Sequence, residues 1–222
     1  MSESSKKKSQ LLPAGLVFGS VIGLSVLGWF LWSGYKKAQE ATVSHVPVPP
    51  VVLVSTEENE QAMRDAALDG LIQSVLSLLK QGTNPDAADA EGRRALMYAA
   101  YNGHDNVIRA ILPQVENVNA QDAGGLTALM YAASGANAES VRLLLEAKAD
   151  SNMVDNGEHF TALMYAAAEG QVQVVKVLLK AGADATLKDI DGESALDFAT
   201  NNGHTEVVKI LEPLEEKTIS EK

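Results

Sequence analysis

A heptapeptide that recurs at a fixed interval constrains the fold of this chain more than any other feature. TALMYAA occurs at Thr127–Ala133 and again at Thr161–Ala167, with variants RALMYAA at Arg94–Ala100 and SALDFAT at Ser194–Thr200. Successive copies begin 33, 34 and 33 residues apart. A period of this length indicates a stacked solenoid, in which each unit contacts only its neighbours.

Two further segments follow each copy in constant register. The first is apolar, with the sequences VIRAIL, SVRLLL, VVKVLL and VVKIL, which begin at Val107, Ser140, Val174 and Val207. The second is polar and leads into an aspartate followed by a glycine-bearing turn, as in DAEGR, DAGGL and DIDGE. Since both apolar segments have helix length and Asp-x-x-Gly segments form β-turns, the sequence predicts two helices and a turn per unit.

Together these segments resemble the ankyrin repeat. NGHDNVIRAIL, TALMYAA and KAGADATLKD match successive parts of that repeat, and the resemblance covers about Asn59–Glu212. It implies an all-α repeat solenoid of helix-turn-helix units joined by β-hairpin turns. We expect three full repeats, a first helix pair in Gln61–Asp89 without its preceding hairpin, and a more polar capping unit at Ile190–Leu214.

The repeated residues are predicted to be structural. Thr127 and Thr161 occupy N-cap positions. The aromatic residues that recur at one position are expected to stack as a ladder through neighbouring units; they are Tyr98, Tyr131, Tyr165 and Phe198. Catalysis needs one asymmetric constellation of polar groups, whereas packing favours repetition. The sequence therefore predicts no catalytic residue, no cofactor and no enzyme.

The heptapeptide departs from the Thr-Pro-Leu-His pattern that is usual in the family. Alanine replaces the proline, and Met97, Met130 and Met164 replace the histidine, with Asp197 at this position in the last unit. The hydrogen bonds that the family's histidines make between repeats are therefore lost. We expect a buried methionine column that contributes packing alone.

The resemblance also implies a protein partner, because ankyrin domains bind proteins through their hairpin tips and the concave face of their first helices. Transferred by register, the predicted partner-binding residues are Arg93, Tyr101, Leu126, His159, Phe160, Glu169 and Glu193. An extra turn residue in DNGEHFT is expected to push His159 and Phe160 outward. Two interpretations stay open: a hot-spot patch around Leu126, Phe160 and Tyr101, or side chains that pack against their own hairpins.

Composition and charge argue against several other kinds of site. The chain has no cysteine, which excludes disulfides, thiol catalysis and zinc–thiolate sites. Residues 1–50 carry five lysines and two acids, net +3, and the chain total is −11, which leaves −14 for residues 51–222. A domain of this charge repels phosphates, so no nucleic-acid partner is predicted. The four histidines lack ligand partners at suitable spacing, so no metal is predicted.

The N-terminal quarter of the chain has a different organisation. We divide the chain into a basic tail (1–10), a transmembrane helix (11–33), a proline-containing linker (34–56), the ankyrin domain (57–214) and a C-terminal tail (215–222). Leu11–Trp32 is 22 residues without a charge, which as a helix spans about 33 Å, close to the hydrocarbon thickness of a bilayer. A cleavable signal peptide has a shorter apolar region, so an uncleaved single-pass anchor is favoured. The linker is an extended tether, or else its VVLVS segment adds as a strand to another element.

The anchor leads to the predictions for location and role. Lysines 6–8 outnumber lysines 36–37, which favours a cytoplasmic N-terminus and a periplasmic ankyrin domain at a bacterial inner membrane. Gly15, Gly19 and Gly23 line one helical face and are predicted transmembrane packing residues, for self-association or for a membrane-protein partner. The chain is thus expected to be a membrane-tethered module that binds and localises a protein, or else a permanent accessory subunit of a larger membrane complex.

Overall fold

The computed structural model describes the backbone of residues 56–220 and the side chains of residues 56–214. Its helices have these bounds: α1 Glu57–Leu68, α2 Ile72–Lys80, α3 Ala95–Asn102, α4 Asp105–Ile111, a 3₁₀ turn Leu112–Gln114, α5 Ala128–Ser134, α6 Ala138–Glu146, α7 Ala162–Ala168, α8 Val172–Lys180, α9 Ala195–Asn201 and α10 Thr205–Ser220. The predicted transmembrane helix (11–33) lies outside the described residues. Within residues 56–220, no helix combines the length and the apolar character that a membrane span needs.

The helices are arranged in two layers. The odd-numbered helices pack on one another in chain order, the even-numbered helices do the same, and each odd helix also packs on the even helix that follows it. We refer to these as the first-helix layer and the second-helix layer. In the described part of the chain the turns contain isolated antiparallel bridges, Gln121 with Thr127 and Lys188 with Ser194, and no strand. The predicted all-α repeat solenoid is confirmed.

Local capping explains where the first helices begin. The Thr127 hydroxyl accepts the Met130 N–H and the Thr161 hydroxyl accepts the Met164 N–H, each at 3.3 Å, so the N-cap prediction is confirmed. These helices are short, and most of their stability comes from burial. The alanine pairs that follow the tyrosines are fully buried, which lets adjacent first helices approach closely.

The methionine column has a second role that the sequence did not predict. The Met130 sulfur lies 3.4 Å from the Thr127 backbone nitrogen and accepts its N–H, and Met97 and Met164 do the same in their repeats. In the last repeat the carboxylate of Asp197 takes this place, accepting the Ser194 N–H at 2.7 Å. The expectation that the column contributes packing alone is wrong, because each thioether also accepts the N–H of its N-cap residue, and in the two repeats with a threonine N-cap this bond completes a capping box.

Histidines connect neighbouring repeats at the start of the second helices. Nε2 of His104 lies 2.9 Å from the carbonyl oxygen of Leu68, and Nε2 of His204 lies 2.9 Å from that of Ala168. A carbonyl can only accept, so Nε2 carries the proton. The ring of His204 covers Gly170, where an added Cβ would lie 2.5 Å from Nδ1. These histidines therefore fix the spacing between repeats.

Candidate protein-binding surface

An aspartate in each hairpin ties the hairpin to the first helix of its own repeat. In the second full hairpin, Oδ1 of Asp122 accepts the N–H groups of Gly124 and Leu126, both at 2.9 Å. Oδ2 of the same carboxylate accepts the hydroxyl of Tyr131 at 2.7 Å. A carboxylate that receives three donors holds the hairpin in one position relative to the helix.

The same connection recurs in the neighbouring repeats. The tyrosine hydroxyl donates to the carboxylate at 2.7 Å in two further pairs, Tyr98 with Asp89 and Tyr165 with Asp155. In the last repeat Asp189 keeps its two backbone donors, but Phe198 has no hydroxyl to offer. The repeated tyrosine is therefore a structural hydrogen-bond donor in three repeats, and this connection was not predicted.

Burial and the neighbouring carboxylate keep these tyrosines protonated. Burial raises the pKa of Tyr131, and the hydrogen bond to Asp122 and its negative charge raise that pKa further. The pKa values of Tyr98 and Tyr165 are raised by the same causes. Burial alone would raise the pKa of Asp89, but hydrogen bonds from Tyr98 and Arg93 lower it below the usual value. At neutral pH the hydroxyls donate and the Asp89 carboxylate accepts.

The aromatic rings pair differently from the predicted ladder. Tyr101 contacts Tyr131 edge-on with a centroid distance of 6.2 Å. Phe160 lies between Tyr165 at 5.5 Å and Phe198 at 4.8 Å. Among residues 56–214 no ring contact joins two of the equivalent aromatic residues, so the predicted ladder is wrong in its pairing. Each tyrosine is oriented by the aspartate of its own repeat, and Phe160 fills the space between the last two rings.

The extra turn residue in the third hairpin exposes His159 but not Phe160. His159 is exposed and has a left-handed backbone, with φ of 62°. Phe160 is half-buried and turns toward the aromatic rings of Tyr165 and Phe198, so the expectation that it points outward is wrong. Leu126 is also half-buried and packs against the core. For both side chains the structure agrees with the packing interpretation.

An apolar groove lies near the N-terminal end of the first-helix layer. It encloses about 240 Å³, and its lining residues are Leu68, Arg93, Met97, Tyr98, Tyr101 and Tyr131. Leu68 is 41% exposed and Tyr101 is 52% exposed, and the two lie at equivalent positions of adjacent repeats. We refer to these six residues as the Leu68–Tyr101 groove.

Two of the predicted partner-binding residues, Arg93 and Tyr101, meet in this groove. The others lie elsewhere: Glu169 is exposed at the end of α7, and Glu193 is half-buried and accepts a hydrogen bond from Asn201. Leu68 was missed, although a signal was present in the sequence. It precedes Tyr101 by 33 residues, and the same register position in later repeats holds the smaller residues Ser134, Ala168 and Asn201.

Comparison with known proteins identifies the family. A family model described as ankyrin repeats, in three copies, matches residues 63–155 and 148–219. The chain belongs to the ankyrin-repeat family. Ankyrin repeats are protein–protein interaction modules, and the fold described above has that role. No curated protein matches the chain significantly.

Charge is unevenly divided between the second helices and the rest of the ankyrin domain. Within residues 56–214 the second helices hold six basic and five acidic residues, whereas the first helices and the loops hold five basic and 19 acidic residues. The first helices are net −4, the loops are net −10 and the second helices are net +1. In residues 56–214 no cluster of three or more His, Asp or Glu residues has the geometry to hold a metal ion.

The one cation in the Leu68–Tyr101 groove is paired within the ankyrin domain. Arg93 Nε lies 3.1 Å from Asp89 Oδ2, and a terminal nitrogen lies 3.0 Å from Glu91 Oε2. The guanidinium also lies over the ring of Tyr98, 5.4 Å from its centroid. Because two carboxylates face one guanidinium, the edge of the groove is negative rather than positive.

Proposed function

We propose that this chain is a membrane-tethered ankyrin module, which binds a protein through its first-helix face and holds that protein at a bacterial inner membrane. The observation that carries the binding part is the Leu68–Tyr101 groove. Single exposed apolar residues are common on monomeric proteins, but here two of them share one concave site and the same register in adjacent repeats. Tyrosine and arginine, which also line the groove, are enriched among residues that dominate binding energies.

Co-purification of the intact chain from its native membranes tests this binding role. Tyr101→Ser removes the most exposed ring of the groove, and Leu71→Ser is a matched control because Leu71 is equally exposed, at 52%, and does not line the groove. We expect a protein that co-purifies with the unaltered chain to be lost with Tyr101→Ser and retained with Leu71→Ser. Identical sets of co-purifying proteins for both variants would contradict the proposal.

The tether rests on the uncharged segment Leu11–Trp32 and the aromatic residues at its end. Extraction of membranes with alkaline carbonate should leave the chain in the membrane pellet. A C-terminal reporter that is active only outside the cytoplasm should be active, with the ankyrin domain in the periplasm. Release into the carbonate supernatant would overturn the tether, and an inactive reporter with a membrane-bound chain would overturn the orientation.

The glycine spacing supports a second candidate function, a permanent accessory subunit of a membrane complex. Gly15, Gly19 and Gly23 would lie on one face of a helix, where small residues allow close helix packing. Replacing Gly19 and Gly23 with isoleucine should then disrupt the complex, whereas isoleucine at Val17 and Val21, on the opposite face, should not. A complex that survives the glycine substitutions but loses a protein with Tyr101→Ser favours the tethered binder.

A further inference from the structure

We infer that the Leu68–Tyr101 groove recognises a cationic segment of another protein, in which an aliphatic or proline side chain enters the groove and lysine or arginine residues flank it. The inference rests on the proposed function, because it names the chemistry of the partner bound at the same surface. Three features of the surface carry it: the size and lining of the groove, the acids beside it, and the charge of the first-helix side.

The groove fits a side chain better than it fits a small-molecule ligand. Its volume of about 240 Å³ is below the roughly 300–1,000 Å³ that is usual for small-molecule sites. The hydroxyls of Tyr98 and Tyr131 are already bonded to Asp89 and Asp122, so they are not free to donate to a ligand. What remains accessible is the aliphatic surface of Leu68 and the ring of Tyr101, which suit an apolar anchor.

The immediate surroundings of the groove favour a positive neighbour. Asp65 lies three residues before Leu68 on α1 and Asp69 follows Leu68 directly; both are exposed, and neither lines the groove itself. Arg93, the only cation that lines the groove, is held by Asp89 and Glu91 and so does not offer a free positive charge. A lysine or arginine of the partner can therefore reach the exposed carboxylates of Asp65, which accepts one hydrogen bond from Gln61, and of Asp69. The exposed ring of Tyr101 adds a site for a cation–π contact.

The wider first-helix face has the same sign. Helices α3, α5, α7 and α9 contain no lysine or arginine, the first helices together are net −4, and the loops add a further −10. A field of one sign speeds the encounter with an oppositely charged partner and repels one of the same sign. A second copy of this chain that docked through the same face would bring two negative surfaces together, so self-association through the groove is disfavoured.

Fluorescence anisotropy with two defined peptides tests the inference on the full chain in an uncharged detergent. One labelled peptide has the sequence Lys-Leu-Pro-Lys repeated three times, and the other has Glu-Leu-Pro-Glu repeated three times. We expect the lysine peptide to bind and the glutamate peptide not to bind. The affinity for the lysine peptide should fall about tenfold or more between 0.05 and 0.5 M salt, since salt screens exposed charges.

Two pairs of variants separate the apolar and the charged contributions. Tyr101→Ser should weaken binding of the lysine peptide about tenfold or more, with no change for Leu71→Ser. Neutralising the two flanking acids, Asp65→Asn with Asp69→Asn, should weaken binding about threefold to tenfold. The control removes two exposed charges from the second helices, Glu146→Gln with Glu212→Gln, and should leave the affinity unchanged.

The outcomes distinguish this inference from the proposed function. If the glutamate peptide binds as well as the lysine peptide, or if both double variants weaken binding equally, the cationic partner is wrong. If neither peptide binds while a native protein is still lost with Tyr101→Ser, the charge inference fails and the proposed function stands. If the chain dimerises through this face and Tyr101→Ser abolishes the dimer, a second copy of the chain occupies the groove and the inference is overturned.

Discussion

Removing one tyrosine hydroxyl tests the link between hairpin and helix. The substitution Tyr131→Phe keeps the ring and its contact with Tyr101 but deletes the group that donates to Asp122 at 2.7 Å. The carboxylate keeps its two backbone donors, Gly124 and Leu126, so the hairpin retains its turn and loses only its bond to α5. The substitution therefore isolates one interaction.

The expected loss follows from the kind of hydrogen bond. A hydrogen bond to a charged group contributes about 1.5–3 kcal/mol to stability. Because Asp122 is half-buried, water partly replaces the lost donor. We therefore expect Tyr131→Phe to reduce the free energy of unfolding by about 1.5 kcal/mol. With an unfolding entropy of about 2 cal/mol/K per residue over roughly 160 residues, this loss of unfolding free energy corresponds to a melting temperature lower by about 3–6 °C.

Urea and thermal unfolding of the full chain, followed by circular dichroism, measure this loss. Tyr101→Phe is the matched control, because it deletes a hydroxyl from the neighbouring ring without a described hydrogen bond and should change stability by less than about 0.5 kcal/mol. The reverse change, Phe198→Tyr, should bring a hydroxyl to Asp189 and raise stability by up to about 1 kcal/mol. Equal effects of Tyr131→Phe and Tyr101→Phe would show that the Tyr131–Asp122 hydrogen bond does not stabilise the domain.

Three further predictions concern other parts of the ankyrin domain. Met130→Leu preserves the packed volume but leaves the buried Thr127 N–H without an acceptor, so the free energy of unfolding should fall by about 1–2 kcal/mol. Met130→Gln restores an acceptor and should reduce the free energy of unfolding by less. Equal stability of the leucine variant and the unaltered chain would show that the sulfur contributes packing alone. Gly170→Ala strains a left-handed residue and displaces the His204 ring, whereas at Gly203, which has a similar φ, an added Cβ has no atom within 4 Å. In urea unfolding, Gly170→Ala should therefore reduce the free energy of unfolding by about 1 kcal/mol more than Gly203→Ala. Equal reductions would show that only backbone strain matters. Because the folded pKa values of the three hydrogen-bonded tyrosines are raised, their contribution to the free energy of unfolding is fully present below the unfolded pKa of 10.0 and is lost as the pH rises above it. The urea midpoint should therefore fall above pH 10.0, and it should fall less steeply in Tyr131→Phe. A midpoint that does not change with pH would contradict this.

The period in the sequence was sufficient to predict the fold. Four copies of one heptapeptide in register determine where each first helix begins, and the N-cap hydroxyls of Thr127 and Thr161 lie where the register placed them. Repetition makes this possible because each unit sets the same local conformation and buries the same face against its neighbours. Such predictions depend on spacing along the chain and not on side-chain orientation.

The side-chain contacts were less predictable, because they depend on the orientation of individual groups. The register predicted that equivalent tyrosines would stack, but the hydroxyl of each one finds an aspartate nine or ten residues earlier in its own repeat. For the methionines, the sequence pattern indicated a lost histidine and gave no sign that a sulfur would accept the N-cap N–H. Both contacts are short-range and polar, and spacing alone does not distinguish them from packing.

The candidate binding surface was predicted in part. Arg93 and Tyr101 were identified from the family register, and the structure brings them together with Leu68. Phe160 is equally suitable by its position, but it packs inward against Tyr165 of its own repeat and Phe198 of the next repeat. Whether a side chain at a hairpin tip is exposed depends on the space that the next repeat leaves for it, and no single repeat contains that information.

Site-specific photocrosslinking shows whether a protein binds at the Leu68–Tyr101 groove. A photoreactive phenylalanine analogue is placed at Tyr101 in the full chain, and separately at Leu71, which is equally exposed outside the groove. After irradiation of native membranes, we predict a discrete crosslinked adduct of higher mass from position 101 and none from position 71. An adduct of the same yield from both positions, or from position 71 alone, would contradict the account.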